Sequence, residues 1–312
     1  MAAVGFNDTV KRWQNEGMSK DVYFNTYFGF DRLEMAPVNF LGVDAFVPVP
    51  ESKIIEEDKE TATHIDDLGN KWKRWKEREI GMSQWIDFGL KGKDDWGKYK
   101  ERLNPKSPVR YPEYWDDWKR TIKERDYPLG INAGSFYGWL RNWMGVENFS
   151  VMFYDDPVFV KEAMTYIADF VCETLARALE EVRFDFALMW EDLGMKSGSL
   201  LSPKLFQEFC LPACKRVTTF LRSHGIDVIM VDSDGNNDVI HPLWLEGGVN
   251  GIYPLEVAAN SNAVKLRKEY GQKMILMGNI DKRALSKTKK EVEEEVMSKA
   301  LPDRKRRLYS VC

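Results

Sequence analysis

Cysteine, histidine and net charge are all scarce in this chain of 312 residues. Its 4 cysteines are too few for a disulfide-stapled scaffold, so a reducing cytoplasm is the expected location. Only 3 histidines are present, His64, His224 and His241, which leaves little material for a zinc set. The formal charge of −4, from 45 basic and 49 acidic side chains, lacks the basic excess of a general nucleic-acid binder. No apolar run approaches the roughly 20 residues of a membrane span. Met1 to Lys11 lacks the basic stretch followed by an apolar one that marks a secretion signal. Neither nucleic acid nor membrane is therefore expected as a partner. No Gly-x-Gly-x-x-Gly follows a strand, which weakens a dinucleotide-binding reading. What is abundant is apolar and aromatic material, 44% and 13% of the chain. That supplies a full-sized core and excludes an intrinsically disordered protein.

The N-terminal third is irregular and rich in Trp and charge. Lys53 to Trp75, with its Asp66-Asp67-Leu68-Gly69-Asn70 turn, reads as an antiparallel hairpin. Lys91 to Asn104 reads as a surface helix with Trp96 and Tyr99 on one face. Residues 48–105 thus form a hairpin and surface-helix insertion within a single domain spanning 1–312.

From Asp126 onward the pattern is regular. Apolar runs at Pro128–Ala133, Phe184–Trp190, Ile226–Val231, Val249–Leu255 and Met274–Met277 read as strands, each followed by a polar turn and a helical segment. Asp156 and Pro157 suit the cap and first turn of a long helix. Ser202-Pro203 opens another helix that Gly225 closes and Pro212 should kink. Strands alternating with helices through short links imply parallel crossovers, and mostly apolar strands imply a sheet buried on both faces. The acids Asp192, Asp234, Glu256 and Asp281 that end these strands are 42, 22 and 25 residues apart. A (β/α)8 barrel averages about 31 residues per unit, so a TIM-type α/β barrel is expected ahead of a doubly wound sheet.

Six acids, Glu191, Asp192, Asp232, Asp234, Glu256 and Asp281, fall at or just beyond the C-terminal ends of these strands. In a barrel those ends converge on the active-site face. Carboxylates gathered there repel one another, and a cation, a loop Lys or Arg, a raised pKa or a hydroxyl-rich ligand must relieve them. Asp232 and Asp234 flank Ser233, so an extended strand end points both to one side, a pair able to hold a hard divalent ion or a polar ligand. Asp and Asn also cap the helices that follow strands, so each acid alone is equally well a local cap. The set together favours a ligand site.

Cys210 and Cys214, four apart on one helix, read as core packing because no nearby histidine completes a metal set. His241 before Pro242 reads as structural. Phe136, Tyr137, Trp139 and Trp143 follow a strand end and either line a pocket or pack the next helix. The run Arg304 to Arg307 reads as an exposed end.

From about Tyr127 to Ala300 the sequence resembles the uroporphyrinogen decarboxylase superfamily, which includes cobalamin- and corrinoid-dependent methyltransferases. The resemblance is carried by Leu201-Ser202-Pro203 with Phe206, Phe209 and Pro212, by Asp232-Ser233-Asp234-Gly235-Asn236, by Gly248 to Glu256, and by Gly278-Asn279-Ile280-Asp281. Tyr27-Phe28-Gly29-Phe30-Asp31 also fits. The resemblance implies a TIM barrel. The chain departs from both well-known branches. The Met-Arg-Gln-Ala-Gly-Arg substrate motif of the decarboxylases is missing, and the stretch matching their catalytic Asp reads Pro37-Val38-Asn39. Their polycarboxylate substrate would also be repelled by an acidic rim. The zinc methyltransferases use His-x-Cys where this chain has Asp232 and Asp234, which are harder ligands than thiolate.

A divergent branch is expected, in which a small polar or cationic substrate binds at the carboxylate rim and a methyl group passes between it and a corrinoid on a partner protein. Glu191 or Asp192 would act as general acid or anchor, and Asp232 and Asp234 would anchor the substrate or a divalent metal. Tyr137, Trp190, Glu256, Asn279 and Asp281 would complete the substrate site. Porphyrinogen decarboxylation, a carboxy-lyase reaction, is the alternative. A third reading is a truncated, inactive family member. A family barrel begins with a strand before the Thr9–Trp13 helix, where only Met1 to Asp8 is available, and no eighth strand is legible after Ala300. Loss of both would leave open edges. One codon choice for Arg304–Cys312, read one base later, gives Gly-Lys-Gly-Gly-Tyr-Ile-Pro-Ser-Val, similar to the segment opening the family's eighth strand. A frameshift near Asp303, with an aberrant tail over 303–312, is the resulting expectation.

Overall fold

The computed structural model describes residues 7–76 and 83–299. The chain divides into two units, Met1–Pro128 with Leu140–Phe159, and Leu129–Trp139 with Val160–Cys312. The 303–312 tail lies outside the described residues.

In the first unit an antiparallel sheet runs in chain order through β1 (Ser52–Glu57), β2 (Thr61–Asp66), β3 (Lys71–Trp75) and β4 (Gln84–Asp87). The segment expected as one hairpin is thus three strands of a meander. Both of its turns are tied by aspartates. Asp58 accepts from the Glu60 and Thr61 amides, and Asp66 accepts from those of Leu68 and Asn70. Register places Ile54, His64, Trp72 and Trp85 in one row across the strands. The His64 and Trp72 rings stack at 5.5 Å in that row. Helix α1 (Lys93–Arg102) buries the Trp96 and Tyr99 face that the sequence marks. Arg110 is fully enclosed, and its guanidinium donates to the carbonyls of Asn39, Asn104, Asp44 and Ala45.

The second unit carries the crossovers. Its parallel strands are β5 (Leu129–Asn132), β6 (Phe186–Trp190), β7 (Val228–Asp232), β8 (Gly251–Leu255) and β9 (Ile275–Gly278), adjacent in that order. Helices between and after them include α2 (Tyr137–Met144), α3 (Pro157–Glu181), α4 (Leu211–Ser223), α5 (His241–Glu246), α6 (Ala263–Tyr270) and α7 (Lys289–Lys299). Helices α2 and α3 each begin or end in the first unit. This is an α/β arrangement of the incomplete TIM type. Among the described residues no strand follows Gly278.

Each strand matches an apolar run of the sequence to within a residue or two. Asp156 caps α3 by accepting from the Phe159 amide at 2.9 Å. The expected kink at Pro212 takes a specific form. Phe206–Cys210 is a π-turn, and α4 starts afresh at Leu211 with Pro212 in its first turn. Proline lacks the N–H and crowds the preceding carbonyls, and the wider turn absorbs that misfit.

Side chains alternate across a strand, and register partners in a parallel pair share a face. Ala187, Met189, Ile229, Val231 and Ile252 form one face, buried to 5% exposure or less. The opposite face carries Trp190, Asp232 and Tyr253 at one level, because Asp232 is the register partner of both aromatic residues.

Candidate functional site

The site grows from that row. Asp232 ends β7, and its carbonyl accepts from the amides of Glu191 and Asp192 at 2.9 and 3.2 Å. Asp192 turns the chain after β6 with a left-handed φ of 44°, a conformation Asp tolerates better than most side chains. Ser233 bonds both neighbouring segments. Its amide donates to the Tyr253 carbonyl at 2.8 Å and its hydroxyl accepts from the Leu193 amide at 2.8 Å. Two glycines let the loops after β6 and β7 interlock. A Cβ on Gly194 would lie 2.3 Å from the Asp234 carbonyl oxygen, and one on Gly235 would lie 2.6 Å from the Gly194 backbone. Gly235 also holds φ at +80°.

Asp192, Asp232 and Asp234 form an electrostatic group. Burial, then the charges of Asp234 and Asp192, push the Asp232 carboxyl up to about 7. Asp234 is exposed at the mouth, and its pKa is raised by partial withdrawal from water and by Glu256 and Asp192, against the pull of Lys282. Glu256 belongs to the rim but is compensated. It accepts from Lys282 Nζ at 2.6 Å and from the Gly235 amide at 2.9 Å, and the Lys282 hydrogen bond lowers its pKa. Tyr253 is 7% exposed, and burial followed by the Asp232 charge raises its pKa far above the usual value.

Other predicted site residues go elsewhere. Glu191 follows Trp190 and so points to the opposite face. It is 1% exposed and accepts from Ser135 Oγ at 3.2 Å and from the amides of Phe136, Tyr137 and Gly138 at 2.8, 2.8 and 3.1 Å. Burial raises its pKa to about 7 against the pull of these donors. Burial, and after it the Glu191 charge, raises the pKa of the thiols Cys210 and Cys214. Glu191 is therefore a strut under the start of α2, with no part in the aspartate group. Tyr137 is buried at that helix start. Trp190 stays in the row beside Asp232, and its ring also lies against that helix start, since a Cβ on Gly138 would come within 2.8 Å of it. Asn279, at φ +68°, latches the chain locally, donating to Ser261 O and accepting from the Ala263 amide. Asp281 is engaged by the guanidinium and amide of Arg283, which hold its carboxyl down near 2.

Sequence reasoning passed over Tyr253 and Lys282. Tyr253 carries a readable signal, since it lies within an apolar strand three residues before Glu256. Lys282 directly follows Asp281, but nothing in the sequence ties it to Glu256.

A family model for uroporphyrinogen decarboxylase (URO-D) matches residues 98–306, a span containing Glu191, Asp192, Asp232, Asp234, Glu256 and Asp281. The chain belongs to the uroporphyrinogen decarboxylase family. Among solved structures, a methyltransferase from Methanosarcina mazei matches this family member at 17% identity and a TM-score of 0.41. The match covers 52% of this chain and 46% of that one, so the chain spans under half the length of that structure. No curated protein sequence matches it. Among the described residues, no helix of this uroporphyrinogen decarboxylase family chain is long and apolar enough to cross a membrane.

Proposed function

We propose that this chain binds a small alkylammonium substrate on the Trp190–Asp232–Tyr253 row and takes part in methyl transfer between that substrate and a corrinoid carried by a partner protein. The observation that carries the reading is a carboxylate set between two aromatic side chains at one level of the sheet. Ring faces attract a cation, and alkyl substituents on nitrogen fill apolar space, so aromatic walls with an acid suit an alkylammonium group. Asp234 and Asp192 add negative potential beside Asp232, and the ammonium of Lys282 is hydrogen-bonded to Glu256. A bound cation would offset the burial and the repulsion that raise Asp232 and draw it to the ionised form.

The roles follow from placement. Asp232 anchors the positive charge, Trp190 and Tyr253 enclose the alkyl groups, and Asp192 and Asp234 deepen the potential at the mouth. The corrinoid would supply the methyl-carrying centre. Trp190 and Asp232 are half-buried and Asp234 beside them is exposed, so part of the row is reachable from solvent, as delivery from a partner-borne group requires. A divalent metal fits less well. Among the described residues no three ligating side chains converge, and no step is assigned to such an ion.

Titration calorimetry with choline and its neutral isostere 3,3-dimethylbutanol tests the site. Choline should bind, the isostere should bind at least tenfold more weakly, and Asp232→Asn should abolish the difference. Equal binding of the two, or none, removes the reading. The reaction is tested by following demethylation of methylated amines against a reduced corrinoid. Carbon dioxide release from a porphyrinogen would assign the family's decarboxylation instead.

A further inference from the structure

Beneath the Asp232–Asp234 turn lies a small cavity of mixed polar and apolar lining, with Ser233, Asn237, His241, Trp244, Ile252 and Tyr253 among its walls. It offers about 10 Å³ to the centre of a water-sized sphere, enough for one water. Asn237 Oδ1, His241 Nδ1 and Trp244 Nε1 are buried and have no protein hydrogen-bond partner among the described residues. These side chains belong to residues only 4%, 3% and 1% exposed. The orientation of Asn237 is fixed by its other end, because Nδ2 donates to the carbonyls of Ser233 and Asp234 at 3.0 Å each.

The three atoms form a complementary set. Trp244 offers one N–H and Asn237 Oδ1 offers a lone pair, while His241 Nδ1, 3.9 Å from Asp238 Oδ1, donates or accepts according to its tautomer. Water accepts and donates at once. Ammonium has no lone pair for the indole, and a halide has no hydrogen for Asn237. We propose that one resident water accepts from Trp244 Nε1, donates to Asn237 Oδ1, completes its bonding on His241 Nδ1, and through Asn237 holds the Asp232–Asp234 turn in place. Trp244 and His241 are then positioning residues for the acids of that turn. This holds whatever those acids bind.

A high-resolution crystal structure of the full chain should show one ordered solvent peak within hydrogen-bond distance of all three atoms. In solution, one indole N–H should show a cross-relaxation peak to a long-lived water, and that peak should vanish in Trp244→Phe, which keeps the ring and loses the donor. Amide exchange at Gly235 and Asn236 should quicken at least tenfold in the variant. A dry cavity, or direct bonds between these atoms and protein, overturns the water site. Unchanged exchange overturns its positioning role. Should Trp244→Phe not fold, the crystal peak in the natural chain decides the water site, and exchange in His241→Phe decides the positioning.

Discussion

Asp232 and Tyr253 are register partners on adjacent parallel strands, and the phenol pKa is raised first by burial and then by the Asp232 charge. An acid and a phenol at one level, with Trp190 on the other side, make the strand ends chemically specific. Asp232 is the group whose titration most directly reports that environment.

Asp232→Asn should raise stability at neutral pH. The native carboxyl titrates at about 7, against an ordinary value near 4 in the unfolded chain. Between those values the unfolded chain releases this proton while the native chain keeps it. The native state then binds more protons, so stability falls as pH rises through about 4 to 7 and levels off above. Full conversion would give about 4 kcal/mol, and partial solvation cuts this to about 2 kcal/mol. Urea unfolding at pH 4, 6 and 8 should show the variant gaining across that window and matching the natural chain at its acid end.

Trp190→Ala should weaken choline binding about tenfold, the loss expected when one partly desolvated ring face is removed from a cation. Tyr253→Phe keeps the ring face and should change affinity less than about threefold. Calorimetry separates the two, and equal losses would assign the effect to altered packing.

Glu191→Gln should destabilise by about 2 kcal/mol, because the amide puts an NH2 into a cradle built only of donors. Glu191→Ala leaves all four donors buried without their acceptor and should cost more, about 3 kcal/mol or above. Denaturant melts of both variants give the order directly.

The strand ends were readable because each apolar run stops at a polar turn. The direction of each side chain beyond the strand was not. Glu191 and Asp192 are neighbours, yet alternation sends the first to the helix face, and only the fold shows that Ser135–Gly138 lies there to receive it. Asp281 looks like a rim acid in sequence, but Arg283 two residues on takes up its carboxylate. Asn279 follows Gly278 in a left-handed turn, and its amide serves that turn. Tyr253 looked like core because an aromatic residue in an apolar strand gives no sign of which acid lies beside it. Pairing across strands supplies that information.

Gly194→Ala should cost about 2–3 kcal/mol, since its Cβ would meet the Asp234 carbonyl and the Asn237 amide rather than a flexible side-chain end. Gly235→Ala adds an unfavourable φ to a backbone clash and should cost at least as much. Both should also reduce choline affinity, because the loop carrying Asp234 must shift. Stability measured by urea melts, with affinity in parallel, distinguishes this from a surface substitution.

Lys282→Ala should affect binding more than stability. Its ammonium is 71% exposed where it meets Glu256, so its loss should cost no more than about 0.5 kcal/mol of folding. Yet it is the cation that lowers Glu256 and offsets part of the rise at Asp234. Without it the rim is more negative, and choline should bind two- to threefold more tightly at low salt. Raising the ionic strength toward 1 M, where the screening length falls to about 3 Å, should erase that gain. A gain that survives high salt would mean that Lys282 blocks the mouth sterically and that its charge is not what limits binding.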